Sequence, residues 1–158
     1  MSGTRSKNDE AGAHLLSKEA KMEETKILVI EDESEPRTII THCLRRKGYS
    51  TFVAATAREG LELARKEHPD ITLLDIRLGG ESGLEVLKGI KELDKNMKVI
   101  IVSALDDEVT IHQAKTLGAD DYLAKPLTID FIDNLILEKI SELNLRKRIE
   151  EIDKGTGN

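Results

Sequence analysis

Three acidic residues stand directly after apolar segments of this chain, at places where strands would end. Glu31 and Asp32 follow the run Ile27–Ile30, and Asp75 follows the run Ile71–Leu74. In a parallel sheet the carboxyl ends of the strands meet at one edge, and ligands bind at that edge. We therefore expect the three carboxylates to lie close together.

A hydroxyl group and an ammonium group follow two further apolar runs. Ser103 ends the run Val99–Val102, and Lys125 follows the run Asp121–Ala124. Clustered carboxylates raise each other's pKa unless a cation lies among them, and Mg²⁺ prefers one or two carboxylates with water and phosphate oxygens. An aspartate can attack a phosphoryl group to form an acyl phosphate, while a lysine neutralises the oxygens being transferred. These side chains therefore predict Mg²⁺-dependent phosphoryl transfer onto Asp75.

The apolar runs that position these side chains are short and continuous. Such runs are typical of strands that are covered on both faces, as in a parallel sheet. The five runs are Ile27–Ile30, Thr51–Ala54, Ile71–Leu74, Val99–Val102 and Asp121–Ala124. Helical patterns lie between the runs, and one follows the last. The alternation predicts an α/β fold, namely a doubly wound sheet of five parallel strands with helices on both faces.

Capping residues mark the ends of the predicted helices. The expected N-terminal caps are Ser34, Thr56, Asp106 and Thr128. Gly48 and Gly118 are expected to end the first and the fourth helix. The third helix is predicted over Gly83–Asp94, and the last could run from its cap to about Ile152.

The last helix carries an apolar stripe that is longer than the domain requires. We expect Ile132 and Ile136 to pack against the sheet, and Ile140 and Leu143 to extend beyond the surface that the domain covers. A second copy of the chain, giving a homodimer, or a docked partner helix would then cover the last two. The alternative is a helix that frays after Leu143.

Four segments resemble the receiver domain of two-component response regulators. They are Ile27–Asp32, Leu73–Ile76, Ile100–Ala104 and Gly118–Pro126. The resemblance extends over residues 26–127 and the last helix. It implies the flavodoxin-like strand order 2-1-3-4-5, and a domain that takes a phosphoryl group from the phosphohistidine of a sensor histidine kinase or phosphotransfer protein. Such a domain catalyses only its own phosphorylation and dephosphorylation, is otherwise no enzyme, and signals by phosphorylation-dependent association with a downstream protein.

The resemblance also implies the ligands of the metal ion. Asp75 would be the phosphoacceptor and would contact Mg²⁺. Asp32 would be a direct ligand, and Glu31 would act mainly through water. The backbone carbonyl of Arg77 would complete the set. Glu31 stands where the family more often has aspartate.

Further roles follow from the same resemblance. Ser103 and Lys125 would bind the phosphoryl oxygens, with help from the backbone N–H of Ala104. Ser103 and Tyr122 would form the switch that reports phosphorylation. The peptide bond between Lys125 and Pro126 would be cis.

One loop departs from the family pattern. The family often has Met-Pro three and four residues after the phosphoacceptor, and this chain has Leu78 and Gly79. With Gly80, the second of these makes a glycine pair, which we expect to be more flexible than proline would be. Ser103 also replaces the commoner threonine but keeps the hydroxyl.

Three alternatives stay open. The chain could be the amino-terminal receiver of a longer regulator, or a scaffold that binds partners without phosphorylation. A haloacid-dehalogenase phosphatase would need a second aspartate two residues after the nucleophile, where this chain has Arg77.

Length and composition agree with one domain in the cytoplasm. The 158 residues divide into a flexible extension at 1–25, a receiver domain at 26–143, and a charged helical extension and tail at 144–158. The net charge of -6 and the aromatic content of 3% argue against direct DNA binding. The apolar runs of the chain are too short to span a membrane, and its single cysteine cannot form an internal disulfide.

Overall fold

A sheet of five parallel strands forms the centre of the molecule within residues 25–105 and 107–156, which the computed structural model describes. The strands are β1 (Lys26–Ile30), β2 (Ser50–Ala54), β3 (Ile71–Leu74), β4 (Lys98–Ser103) and β5 (Asp121–Ala124). Their order is β2-β1-β3-β4-β5, and all neighbouring pairs are parallel. The predicted fold class, the strand order and the five predicted strands are therefore confirmed.

Five helices within the same described ranges pack on the two faces of this sheet. They are α1 (Ser34–Arg46), α2 (Ala57–Glu67), α3 (Gly83–Leu93), α4 (Glu108–Thr116) and α5, which joins Ile129–Phe131, a π-helical stretch Ile132–Ile136 and Leu137–Thr156. None of these helices is long and apolar enough to cross a membrane.

The core has one apolar layer on each face of the sheet. Val29 and Leu73 belong to the layer under α1 and α5, whereas Leu28 and Leu74 belong to the layer under α2, α3 and α4. Successive strand residues point to opposite faces, so a strand that is buried on both sides must be apolar at every position. This requirement explains why the strands lack alternation in the sequence.

Two of the predicted helix caps need correction. α1 begins at Ser34 itself, and its cap is Glu33, whose side chain makes no capping hydrogen bond. The cap of α4 is Asp107, whose carboxylate accepts a hydrogen bond of 2.9 Å from the backbone N–H of Thr110. The residue predicted for that role, Asp106, lies outside the described residues. The caps predicted at the start of α2 and of α5 are confirmed.

The prediction for the end of the apolar stripe on α5 is wrong. Ile140 and Leu143 are buried, in the same layer as Ile132. That layer also contains Ile27, the second residue of β1, and Ile71, the first residue of β3. The helix therefore follows the sheet to the edge where the strands begin, and the domain itself covers the residues for which we expected a partner.

Most of the predicted amino-terminal extension, residues 1–24, lies outside the described residues. Its last residue, Thr25, is buried and leads directly into β1. The hydroxyl of Thr25 accepts a hydrogen bond of 3.2 Å from the side-chain amide of Asn144 on α5. The start of the domain is thus joined to its last helix.

Candidate phosphoryl-acceptor site

The three predicted carboxylates meet where β1 and β3 end. Glu31, Asp32 and Asp75 each bring one carboxylate oxygen within 4.8 Å of the others. The backbone N–H of Asp75 donates to the carbonyl of Ile30 at 3.0 Å, so the two strand ends are joined directly. Glu31 and Asp75 are buried, whereas Asp32 is partly exposed. The three carboxylates therefore lie close together, at the edge of the sheet where the strands end.

Arg37 holds the loop that carries two of these acids. Its guanidinium donates to the carbonyls of Glu31 and Asp32, both at 3.0 Å. Arg37 lies in the first turn of α1, close enough in sequence to reach back to the end of β1. We did not predict this role from the sequence, because an arginine in a first helical turn is ordinarily exposed. The loop conformation thus depends on a side chain outside the acidic cluster.

Lys125 lies between two of the acids. Its ammonium group is 2.7 Å from Oδ2 of Asp75 and forms a second ion pair with Oε1 of Glu31. The lysine follows β5, whose last residue pairs with Ser103, and its backbone N–H donates to the carbonyl of Ser103 at 2.9 Å. The peptide bond from Lys125 to Pro126 is cis, as the resemblance implied.

Burial and close contact shift the ionisation of all three groups. Burial is the largest cause that raises the pKa of Glu31, to about 7, and the neighbouring carboxylate of Asp75 adds to the rise. Burial also acts to raise the pKa of Asp75, but hydrogen bonds from Lys125 and from the backbone of Arg77 outweigh it and hold that pKa below its usual value. Although burial opposes it, contact with both acids raises the pKa of Lys125. At neutral pH, Asp75 is therefore a carboxylate next to an ammonium ion.

One carboxylate oxygen in this cluster has no partner. Within the described residues, Oε2 of Glu31 is the buried side-chain polar atom without a hydrogen bond. An unpaired buried oxygen costs about 1–3 kcal/mol, so it is expected to have a ligand in the working state. It lies among carboxylates that offer the hard oxygen ligands Mg²⁺ prefers. The residues present therefore fit a divalent cation.

The other predicted site residues lie on the neighbouring strands. Ser103 is fully buried at the end of β4, and its hydroxyl accepts a hydrogen bond of 3.3 Å from the backbone N–H of Leu105. The hydroxyl of Tyr122 donates to the carbonyl of the same leucine. Ala104, which stands between Ser103 and Leu105 in the chain, is exposed. Ser103 and Tyr122 are thus linked through one loop.

The glycine pair after the third strand forms a tight turn. Strands of two residues, Arg77–Leu78 and Glu81–Ser82, pair antiparallel on either side of it. Gly79 and Gly80 have φ values of +56° and +95°, which is the conformation that a two-residue hairpin turn requires. The backbone N–H of Arg77 donates to Oδ1 of Asp75 at 3.1 Å. The hairpin therefore begins at the site and orients the acid.

Gly83 lets α3 approach the end of β3 closely. A Cβ atom at this position would lie 2.2 Å from the carbonyl oxygen of Asp75 and 2.6 Å from Cα of Ile76. Both are backbone atoms that cannot move without displacing the site. A residue with a side chain is therefore excluded at this position.

An apolar groove opens beside the lysine. Its volume is about 420 Å³, and it lies between α1 and the loop that follows β5. The lining residues are Glu33, Glu35, Pro36, Ile39, Ala104, Lys125, Pro126 and Leu127. The sequence patterns did not reveal this groove, because its two walls are about 90 residues apart in the chain.

Comparison with known proteins identifies the family. The response regulator receiver domain matches residues 27–137. The chain is 38% identical over 111 residues to sporulation initiation phosphotransferase F of Bacillus subtilis (strain 168), across 70% of this chain and 90% of that protein.

Solved structures are similar throughout the domain. A CheY-like receiver domain protein of Methanospirillum hungatei JF-1 is 29% identical with a TM-score of 0.71, and the match covers 78% of this chain and 98% of that one. The CheX-CheY-BeF3-Mg+2 complex of Borrelia burgdorferi contains a chain that is 26% identical with a TM-score of 0.68, across 75% of this chain and 87% of that one. This chain therefore belongs to the response regulator receiver domain family.

Proposed function

We propose that the domain accepts a phosphoryl group on Asp75 in a Mg²⁺-dependent reaction, from a phosphohistidine of a sensor histidine kinase or phosphotransfer protein. The observation that supports this most strongly is the contact of 2.7 Å between the ionised carboxylate of Asp75 and the ammonium group of Lys125. The proposed nucleophile and the group proposed to neutralise charge are therefore in direct contact. The similarity to a chain crystallised with BeF3 and Mg²⁺ agrees with this chemistry.

In the proposed reaction, an oxygen of Asp75 attacks phosphorus, and the bond from phosphorus to the histidine nitrogen breaks. The electron pair of that bond stays with the imidazole ring. Lys125 moves from its carboxylate partners to the phosphoryl oxygens, where its charge stabilises the transition state. The hydroxyl of Ser103 and the N–H of Ala104 donate to the same oxygens.

The three acids of the cluster and one backbone carbonyl would hold the metal ion in this proposal. Asp32, Asp75 and the backbone carbonyl of Arg77 would bind it directly, while Glu31 would act mainly through water. When bound, Mg²⁺ neutralises negative charge on the phosphoryl oxygens. Glu31 must be ionised for this role. Its buried Oε2, which has no hydrogen-bond partner among the described residues, would then accept a hydrogen bond from that water.

The partner that carries the phosphohistidine docks, we propose, in the groove beside Lys125. Ile39 and Leu127 give the groove apolar walls, and the acids Glu33 and Glu35 line its rim. Lys125 lines this groove and also contacts the carboxylate of Asp75. The proposed nucleophile therefore lies one side chain away from the groove. A histidine at the tip of a partner helix or loop could therefore approach Asp75 from this side.

Phosphorylation is proposed to act on a switch built from Ser103 and Tyr122. The serine is buried beside the site, and both side chains contact Leu105 in the loop before α4. If the phosphoryl group draws the serine hydroxyl inward, that loop loses its hydrogen bond to Ser103, and the tyrosine can move. The surface formed by α4, β5 and α5 would then change and bind a downstream protein.

The test uses the full chain and a small phosphodonor. Wild type incubated with acetyl phosphate and Mg²⁺ should gain one phosphoryl group by intact mass, and chelation of the metal should prevent the gain. Asp75→Asn should gain none, because an amide cannot act as the nucleophile. Asp94→Asn, a matched change at an exposed aspartate at the end of α3, should behave as wild type. Phosphorylation of a folded Asp75→Asn protein would overturn the proposal.

A further inference from the structure

One nitrogen of Arg37 joins the two residues that follow β1. Its Nη1 donates to the carbonyl oxygen of Glu31 and to that of Asp32, at 3.0 Å each. These carbonyls belong to the two planar peptide groups on either side of Asp32. Hydrogen bonds from a charged donor are about twice as strong as those from a neutral one. The two bonds together therefore fix the direction in which the side chain of Asp32 leaves the backbone.

The base of the Arg37 side chain is itself held in place. Pro36 directly precedes it in the first turn of α1, where the fixed φ of a proline ring is tolerated. The carbonyl of Arg37 accepts a hydrogen bond of 2.6 Å from the hydroxyl of Thr41, which is buried. The bridge to the acidic loop therefore starts from a part of the helix that has little freedom to move.

The carboxylate of Asp32 has less side-chain support than the other two acids. Glu31 and Asp75 form ion pairs with Lys125, whereas Asp32 forms none within the described part of the chain. Its Oδ2 would lie 3.8 Å from a Cβ atom at Gly79, so this carboxylate faces the hairpin after β3. Repulsion by the two neighbouring carboxylates opposes that position. The backbone of the loop must therefore hold Asp32 there.

We propose that Arg37 is a positioning residue for the metal ion, which holds the carboxylate of Asp32 in the acidic cluster before the ion binds. This inference rests on the Mg²⁺ site of the proposed function. Within the described residues, the guanidinium contacts backbone carbonyls and forms no ion pair with a carboxylate. It therefore leaves the carboxylate oxygens available to a cation. Removal of an outer group that orients metal ligands typically lowers the metal affinity about 10- to 100-fold.

Charge and position predict opposite effects when this side chain is removed. A positive charge near the acids repels a second cation, so its loss alone would strengthen Mg²⁺ binding. Loss of positioning would weaken the binding, because Asp32 would then turn away from the other acids toward water. The direction of the change in affinity therefore separates the two roles.

Titration of the full chain with Mg²⁺, followed by amide chemical shifts without a phosphodonor, tests this inference. Arg37→Met removes the donors and the charge, and it should raise the Mg²⁺ concentration at the midpoint about tenfold. Arg37→Lys should restore most of the affinity, because a single nitrogen makes both hydrogen bonds. The matched control Arg45→Met removes an arginine in the last turn of α1 that donates to the carbonyl of Thr51. It should bind Mg²⁺ as wild type does.

Unchanged or tighter Mg²⁺ binding in Arg37→Met would overturn the inference. A loss of stability in urea, measured with a chelator, would then be the only effect of the change, and the role of Arg37 would be merely structural. If Arg37→Met does not fold, Arg37→Gln takes its place, with the same results expected. Failure of wild type to bind Mg²⁺ would instead overturn the proposed metal site, and the inference with it. Because no phosphodonor is present, none of these results depends on phosphoryl transfer to Asp75.

Discussion

Lys125 sets the charge balance of the site at the scale of single residues. It contacts two buried acids at once, and only one of them keeps a low pKa. Asp75 receives hydrogen bonds from the lysine and from the backbone, whereas Glu31 keeps one oxygen without a partner. The same lysine therefore lies between a carboxylate with a lowered pKa and an acid whose pKa stays raised to about 7.

The raised pKa of Glu31 predicts a pH dependence of stability in metal-free protein. The unfolded chain loses this proton near pH 4.5, and the folded protein loses it near pH 7. Between these values the folded state binds more protons, so the free energy of unfolding should fall as the pH rises from 4.5 to 7. The pKa of Asp75 is lowered from its ordinary value of 3.8, so its effect on stability falls at lower pH than this window.

Urea unfolding with a chelator measures this effect. The glutamine of Glu31→Gln cannot titrate. Between pH 4.5 and 7, the free energy of unfolding of this variant should therefore fall less than that of wild type. Glu35→Gln, a change at an exposed glutamate nearby, should keep the wild-type dependence. The same slope in Glu31→Gln and in wild type would contradict the assignment.

At the scale of elements, α5 is a packing element along most of its length. Its π-helical stretch and the following turns bury an apolar stripe down to Leu143, and polar contacts hold the helix beyond that residue. The buried part thus ends where the polar contacts to the strand starts begin. A helix held at both regions is expected to stay ordered past the domain core.

Replacement of Ile140 by alanine tests the packing of α5. Its side chain is fully buried, so the change should lower the free energy of unfolding by about 2–5 kcal/mol. Ile129→Ala on the same helix removes an exposed side chain and should change stability by less than about 0.5 kcal/mol. Equal effects of the two variants in urea unfolding would show that the helix is not packed as described.

At the scale of the whole molecule, the two edges of the sheet have different tasks. The edge where strands end carries the acids, the lysine and the groove, while the edge where strands begin carries polar contacts that hold α5. The parallel topology produces this division, because every strand runs in the same direction. The proposed docking of a partner and the attachment of the last helix therefore involve opposite edges of the sheet.

The groove predicts a difference between two phosphodonors. Leu127→Ala should slow transfer from a histidine phosphotransfer protein by about tenfold, the effect of a contact worth about 1.4 kcal/mol. Acetyl phosphate does not need the groove, so its reaction rate should stay unchanged. Leu61→Ala, in the separate groove between α2 and α3, is the matched control and should leave both rates unchanged. Equal slowing with both donors would place the effect in the chemistry rather than in docking.

The sequence alone determined the strands and the members of the acidic cluster, and the family resemblance supplied the strand order. Strands buried on both faces must be continuously apolar, so their ends are visible wherever a charge interrupts the run, as at Glu31 and Asp75. Parallel pairing then brings those ends together without further information. The same reasoning marked Lys125 after its apolar run, and the family motifs supplied its cis peptide bond, which the structure contains.

The tertiary structure alone decided which apolar side chains are buried within the domain. Ile140 and Leu143 have the same helical spacing whether a sheet or a partner covers them, so only the path of α5 along the strands distinguishes the two cases. The support that Arg37 gives to the acidic loop, the pKa of Glu31 and the groove likewise depend on contacts in three dimensions. Burial and ionisation depend on distances between elements, which a pattern along one chain does not contain.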